Sequence, residues 1–452
     1  MSGKPNILLI CTDQQSMQAM SAYGNRHLHT PHMDSIAANG VRFERSYCAS
    51  PVCSPSRAAI VTGRMPHEIN ANYIGEQGLK PSTPTIGQIL RSPLKQGDRY
   101  NTAWVGKWHL SQHFAGSTAG NTPGFEPLAI SPVIDQHHWN NFNSAPSLHL
   151  GTCTDEPVAD QAIAFLRRHH TRPFFLAAGF QNPHDICYWI RNPRNEPIGD
   201  NLSLPANFER DSHEPQFITW CRLRSYYGGE NECTKTWGEQ QWLSYLYAYY
   251  RLTEQVDAAI GRVLHELNEL GLKENTLIIF TSDHGEGMAA HQLVVKLMLY
   301  EEVATVPLIL SWKGVIPSGL VDQKHLASGI DILPTLCDYA DIKPQETLTG
   351  MSLRPLIEDP KLDGRDFLVT ELAPDPRQPD LLGRMVRSER YKYIVFSHGE
   401  NPEMLFDMHE DPGEIHNLAS DKELTDQIAH HRKCLQQWIR QTKDYFTIPS
   451  MF

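Results

Sequence analysis

The chain has 452 residues, 52 acidic against 40 basic side chains, a formal net charge of −12 and 40% apolar residues. Apolar and aromatic residues recur along its whole length, which excludes a disordered chain; the length suits one large α/β domain with a smaller one, or two or three ordinary domains. A net acidic chain lacks the basic face that general nucleic-acid binding needs, so an anionic ligand must meet positive charge gathered locally.

The longest apolar runs, 7–11 and 174–178, are strand-sized and far short of the ~20 residues of a membrane-spanning helix, so no membrane partner is expected. Met1 to Pro5 leads straight into the first run, with no long apolar leader or small-residue cleavage site. That fits a cytoplasmic protein, or a periplasmic or secreted one whose leader has been removed. The nine cysteines (11, 48, 53, 153, 187, 221, 233, 337 and 434) are scattered and form no CxxC pair. This argues against a zinc knuckle or redox motif, and the odd count leaves at least one thiol unpaired in a monomer.

Residues 5–11 (PNILLIC) predict a buried strand, a short continuous run rich in branched side chains. Residues 53–57 (CSPSR) predict a helix start, with proline in its first turn and Arg57 four residues from Cys53 on the same face. A group at Cys53 then feels the positive helix end and a guanidinium, which suits an anion; the alternative is a buried cysteine beside a surface arginine. Residues 102–105, 173–180 and 275–280 predict further strands. The last follows an amphipathic helix over 240–270, in which Tyr249, Leu252, Val256, Ala259, Ile260, Val263 and Leu267 recur at helical spacing. Helix followed by buried strand implies crossover connections and a mostly parallel sheet. Each strand runs into polar residues: Thr12-Asp13-Gln14, Gly106-Lys107-Trp108-His109, Gln181-Asn182-Pro183-His184 and Ser282-Asp283-His284-Gly285. Ligands bind beyond the carboxyl ends of parallel strands, so four such endings predict one shared site. Lys107 and His109, two apart, point the same way on an extended backbone.

Residues 135–142 (DQHHWNNF) and 185–190 (DICYWI) combine aromatic and hydrogen-bonding groups. Trp139, Tyr188 and Trp189 offer faces to a sugar ring, or else serve as core or lid, and Asp185 is placed to orient a substrate hydroxyl. Residues 228–237 read as a flexible loop over the pocket. Toward the C-terminus, 384–396 and 403–408 predict strands joined by a polar turn at 398–401, and 424–443 a closing helix: a small antiparallel sheet with one helix. The proline-bearing stretch 358–365 marks a boundary between a catalytic domain over 1–360 and a C-terminal α+β subdomain over 361–452.

CSPSRAAIVTGR at 53–64, GKWHL at 106–110, SDHG at 282–285, Lys296 followed by Tyr300-Glu301, DILPT at 331–335, and Leu405-Phe406-Asp407 with Asn417-Leu418 occur in this order. The series resembles the type I sulfatase family of the alkaline-phosphatase-like superfamily across nearly the whole chain. The resemblance implies an α/β fold with a large, mostly parallel central sheet flanked by helices, and a smaller C-terminal domain of antiparallel sheet plus a helix. It implies sulfuric ester hydrolysis, with Cys53 converted to Cα-formylglycine by a formylglycine-generating or anaerobic sulfatase-maturing enzyme. The hydrated aldehyde is a geminal diol whose second hydroxyl, once deprotonated, expels sulfate; one hard step becomes two easier ones.

By the same resemblance Asp13, Gln14, Asp283 and His284, with the oxygen derived from Cys53, hold a divalent metal. Gln14 stands where many members carry an acid, which removes one negative charge. Oxygen-rich ligation puts Ca²⁺ first, and the imidazole leaves room for Mg²⁺ or Mn²⁺. The alternative reading makes Asp13 a strand-end turn and Asp283-His284 a helix cap. Arg57, Lys107, His109, His184 and Lys296 match the cationic and proton-transfer positions. His109 would be the base on the diol, His184 and Lys296 would act at the bridging oxygen or leaving alcohol, and Arg57 and Lys107 would stabilise formylglycine and sulfuryl oxygens. His291, five residues before Lys296, either faces the site or is a surface-loop histidine. The family's many carbohydrate sulfatases point to a sulfated saccharide, with choline or aryl sulfate as alternatives. Phosphonate monoester or phosphodiester hydrolysis by the same apparatus is a second reading, and a non-enzymatic sulfated-glycan-binding protein a third. The acidic surface favours a pocket admitting one sulfated terminus over capture of a long polymer.

Overall fold

The computed structural model describes residues 4–74, 79, 82–92, 99–110, 125, 152–199, 201–211, 213–223 and 233–449. Trp139, and residues 228–232 of the expected covering loop, lie outside the described residues. Along the chain run β1 (Asn6–Asp13), β2 (Val41–Phe43), β3 (Ser46–Tyr47), β4 (Asn101–Gly106), β5 (Phe174–Pro183), β6 (Thr276–Ser282), β7 (Leu308–Ser311), β8 (Leu320–Asp322) and β9 (Ala327–Ser328). Seven of them form one sheet in the order β4-β5-β1-β6-β7-β2-β8, in which only β7 runs against the rest; β3 and β9 pair separately.

The continuous apolar runs are explained by burial on both faces. From β1 and β6, Ile7, Leu9, Leu277 and Ile279 enter one core, while Leu8, Ile10, Ile278 and Phe280 enter the other. The helix Glu239–Glu269 covers the second face with Val256, Ile260, Val263 and Leu267. The helices Cys53–Thr62 and Ile332–Tyr339 cover the first with Ile60, Val61, Leu333 and Leu336.

The four predicted strands stand side by side, with Gly106 opposite Gly179, Asp13 opposite Pro183 and Thr12 opposite Ser282. Their carboxyl ends therefore open on one edge of the sheet. β5 continues through Gln181 and Asn182, so these residues belong to the strand and do not follow it. The backbone beyond β4 is not extended as expected. Gly106 turns at φ 78° and His109 has φ 61°, so spacing alone does not set the direction of Lys107 and His109. Gly106 is required here, because a Cβ on it would lie 2.1 Å from the Gly179 carbonyl oxygen.

The C-terminal sheet runs β10 (Phe367–Leu372), β11 (Gly383–Ser388), β12 (Tyr391–Phe396) and β13 (Glu403–Asp407), all antiparallel. The stretch 384–396 is thus a hairpin, not one strand. It turns at Glu389-Arg390, where the Ser388 hydroxyl donates to the Tyr391 carbonyl at 3.1 Å. The closing helix Thr425–Thr442 packs Ile428 and Leu435 on one face of this sheet. Leu368, Met385, Ile394 and Phe406 on the other face pack with Cys53, Leu297, Met298 and Tyr300. The side chains of eight of the nine cysteines are described, and all eight are free thiols. Among the described residues no helix is long and apolar enough to cross a membrane.

Candidate active site

Cys53 is the first residue of its helix. Val52 before it is extended (φ −150°, ψ 134°), and the Val52 carbonyl accepts from Ser56 N at 3.0 Å. The Cys53 Sγ lies 2.9 Å from Lys296 Nζ, 3.1 Å from His284 Nε2 and 3.8 Å from Asp13 Oδ1. One turn on, the buried Arg57 donates from Nε to Asp283 Oδ2 at 2.7 Å, from Nη2 to Asp13 Oδ2 at 3.0 Å and from Nη1 to the Lys107 carbonyl at 2.9 Å. Lys107 Nζ is 2.7 Å from Asp13 Oδ2. The ends of β1, β4 and β6 and the start of one helix thus share one ion-pair network. Burial and Asp13 oppose ionisation of Cys53, but Lys296, Lys107 and His284 hold its thiol well below the usual range.

The residues present fit a divalent cation. The ligand atoms of Asp13, Cys53, Asp283 and His284 all lie within 4.8 Å of one another. His284 Nδ1 is 2.8 Å from the Gly285 carbonyl oxygen. A carbonyl only accepts, so Nδ1 carries a proton; against burial, Asp283 and Cys53 raise His284, so Nε2 would become a ligand when a cation displaces its own proton. The two carboxylates are 0% exposed and share Arg57. Burial and Asp13 push Asp283 up to about 7 despite Arg57. Against burial, Lys107 and Arg57 keep Asp13 well below the carboxylate range. A further positive charge between these carboxylates would offset their repulsion.

His184 and His109 complete the ring. Gln181 Nε2 lies 2.9 Å from His184 Nδ1, and Gln181 is itself held by its backbone N–H donating to Asp155 Oδ1 at 2.7 Å. Burial, then Lys107 and Lys296, push His184 down to about 3. It is therefore a neutral imidazole whose proton sits on Nε2, the atom 3.9 Å from Asp13 Oδ1. Burial also lowers His109, with Lys107, against the raising effect of its hydrogen bond to Cys53.

The expected substrate contacts fare differently. Trp189 is fully buried; its Nε1–H donates to Glu196 Oε1 at 2.8 Å and its ring packs edge-on against Trp237, so it has no face for a sugar. Tyr188 is half-buried and close enough to Lys296 to feel its charge. Asp185 is buried and hydrogen-bonded to Gln181 and Asn182, and burial pushes it up to about 6. His291 is neither a surface histidine nor part of the ring. It is buried, stacked on Tyr300 at 4.0 Å, and its backbone is held by Asn207 and Arg222.

Three residues of the site carried no assigned role in the sequence reading. Gln181 and Asp155 hold His184, and Glu286 meets Gln14. Gln181 lies in a polar strand ending, so its place three residues before His184 was a signal. Asp155 has none, and Glu286 directly follows the SDHG motif but is brought to Gln14 only by the fold.

Residues 5–342 match the family model described as Sulfatase, and residues 289–441 that described as N-sulphoglucosamine sulphohydrolase, C-terminal. A Delta 4,5-hexuronate-2-O-sulfatase of Bacteroides thetaiotaomicron is 32% identical over 98% of this chain and 90% of its own. Among solved structures, a 2-O GAG sulfatase superposes with a TM-score of 0.84 at 30% identity, over 99% of this chain and 95% of that one. The Phosphonate Monoester Hydrolase of Agrobacterium radiobacter shares the fold, with a TM-score of 0.79 at 23% identity over 97% and 96% of the two chains.

Proposed function

The chain belongs to the sulfatase family, which makes it a sulfuric ester hydrolase, and we propose that the Cys53 cluster carries out this hydrolysis on a sulfated saccharide. The observation that carries the assignment is a helix-start cysteine with Lys296 Nζ at 2.9 Å and His284 Nε2 at 3.1 Å, above a guanidinium that joins Asp13 to Asp283. The relatives' names support a saccharide substrate, and a 2-O-sulfated hexuronate is the first to try.

In this reading the Cys53 sulfur stands in for an oxygen of formylglycine. That group supplies a hydrated aldehyde, with one hydroxyl to attack sulfur and a second whose deprotonation frees sulfate. Asp13, Gln14, Asp283 and His284 would hold a divalent cation, Ca²⁺ first, which supplies positive charge at the sulfate oxygens. Arg57 fixes the two carboxylates, and Lys107 and Lys296 bind sulfuryl oxygens in a water-poor site where such contacts are strong. His109, neutral, takes the proton from the diol. His184 presents Nε2–H to the bridging ester oxygen and assists departure of the alcohol. Tyr188 borders the sugar side. Residues 1–360 form the catalytic domain, and 361–452 a subdomain that closes the back of the site.

Peptide mass analysis around residue 53, after expression with a maturation enzyme, should find the aldehyde in place of the thiol. The same protein should release sulfate from a panel spanning 2-O-sulfated hexuronate, 6-O-sulfated glucosamine, aryl sulfate and choline sulfate. Cys53→Ala should keep the fold and release none; sulfate release by that variant would refute the mechanism. Faster turnover of a phosphonate monoester than of every sulfate ester would move the protein to the sister activity, and glycan binding by fully modified protein without release would make it a binding protein.

A further inference from the structure

Gln14 is an ambiguous partner for a cation, because a side-chain amide can present either its oxygen or its NH₂ group in nearly the same shape. Two neighbours remove the ambiguity independently. Lys296, which can only donate, places Nζ 3.1 Å from Gln14 Oε1. Glu286, whose carboxylate can only accept, meets Gln14 Nε2. Because Lys296 Nζ is also 2.9 Å from the Cys53 sulfur, Gln14 Oε1 faces the Cys53 cluster.

Glu286 is completely buried, and its oxygens accept from the Tyr245 hydroxyl, Val295 N–H and Gln14 Nε2. Tyr249, one turn on from Tyr245 in the same helix, donates to the Gln14 carbonyl at 2.7 Å. Gln14 N–H donates to Asp283 Oδ1 at 3.0 Å, and the residue is held at φ 65°. Backbone and amide are therefore both pinned. Burial raises the Glu286 carboxyl, and the hydrogen bonds from Tyr245, Gln14 and Val295 act against that by favouring its ionised form.

We propose that Glu286 is a positioning residue: it locks the Gln14 amide with oxygen toward the cation position, and supplies from one hydrogen bond away the negative charge that glutamine lacks. The inference rests on the reading that Asp13, Gln14, Asp283 and His284 hold a divalent cation.

The test is Ca²⁺ titration by calorimetry on metal-stripped, full-length protein, with the thermal midpoint of each metal-free variant as the folding control. Glu286→Gln keeps the shape but removes the charge and one of the two groups that fix the Gln14 amide, leaving Lys296 alone to hold it, and Ca²⁺ affinity should fall about 10–100-fold. Exchanging the two residue types, Gln14→Glu with Glu286→Gln, restores one fixed acceptor facing Lys296 and the original total charge. Affinity should return to within a few-fold of wild type, a rescue that a merely structural role would not produce. Wild-type affinity in folded Glu286→Gln, or no recovery in the folded exchange variant, overturns the inference. If Glu286→Gln does not fold, Gln14→Leu takes its place; it should lose the same affinity, and wild-type affinity there overturns the inference equally. Wild-type protein that binds none of Ca²⁺, Mg²⁺ or Mn²⁺ would instead overturn the cation reading itself.

Discussion

Arg57 is 1% exposed and divides its guanidinium between two carboxylates that have no access to water. Arg57→Ala would take the guanidinium from Asp283 and leave Asp13 with Lys107 as its close cation. It should cost about 3–5 kcal/mol of stability in the metal-free protein, read by urea denaturation. Ca²⁺ should recover part of that loss, because the ion would provide the charge that the arginine no longer does. Loss in Arg57→Lys should be smaller, since one ammonium can pair with only one carboxylate in place of the fork. His184 is a different case: it is neutral, with Gln181 on Nδ1, so its use is to donate from Nε2. A donor at the bridging oxygen matters most when the leaving alcohol is a poor one. His184→Ala should lower kcat/KM for a saccharide sulfate by about 10²–10⁴-fold and for an activated aryl sulfate by much less. Equal losses on both substrates would remove His184 from that role.

At the scale of elements, what the sequence disclosed depended on length and on repetition. β1, β4, β5 and β6 are legible because each is an apolar run buried on both faces, and their polar endings announced a common edge. β2, β7 and β8, of three or four residues, are too short to carry a period and hold their place only through sheet neighbours. The hairpin within 384–396 was hidden because Ser388 to Tyr391 (SERY) carries no Gly, Pro, Asn or Asp to mark the turn. Trp189 and Tyr188 sit side by side in sequence, yet the helix Ile186–Arg191 buries one and leaves the other half-buried, which composition cannot distinguish. The charged ring was visible as residue types at strand ends; Asp155 and Glu286, which hold that ring from behind, depend on contacts between distant elements. Gly106 shows how closely those elements approach. A Cβ there would lie 2.1 Å from the Gly179 carbonyl oxygen and 2.8 Å from a Val158 methyl, at φ 78°. Gly106→Ala should cost more than ~2 kcal/mol, since the left-handed conformation alone costs ~1–2 kcal/mol before the clash. The shift should also displace Lys107, so residual folded protein should show a raised KM for the sulfate ester together with the lower thermal midpoint.

Over the whole molecule, the C-terminal sheet is tied to the chain entering the catalytic helix. Glu371 N–H on β10 donates to the Ala49 carbonyl at 2.9 Å, and the Thr370 hydroxyl to the Cys48 carbonyl at 2.8 Å, four and five residues before Cys53. Beside this seam lie His67, Glu371 and Asp444, three buried side chains close enough to suggest a second metal centre. Their partners argue otherwise. The Arg384 fork takes both Asp444 oxygens at 2.7 and 2.8 Å. His67 Nδ1 meets the Glu371 carboxylate and Nε2 the Thr442 carbonyl at 3.1 Å. Carboxylate and carbonyl only accept, so both imidazole nitrogens carry protons and His67 is a cation with no lone pair for a metal. Although burial opposes the charge, Glu371 raises His67 from 6.5 to about 9. The stabilisation from this pair is fully present below about 6.5, where the unfolded histidine is also protonated, and is lost as pH rises toward 9. Its upper bound is roughly 3 kcal/mol. Glu414, pushed up to about 8 by burial, also weakens the fold as it ionises over part of that range, so total stability does not isolate the histidine. The difference between wild type and His67→Gln does. That gap, measured by urea denaturation at pH 6, 7.5 and 9, should be largest at pH 6 and nearly closed at pH 9; a gap independent of pH would mean that His67 is not charged in the folded protein.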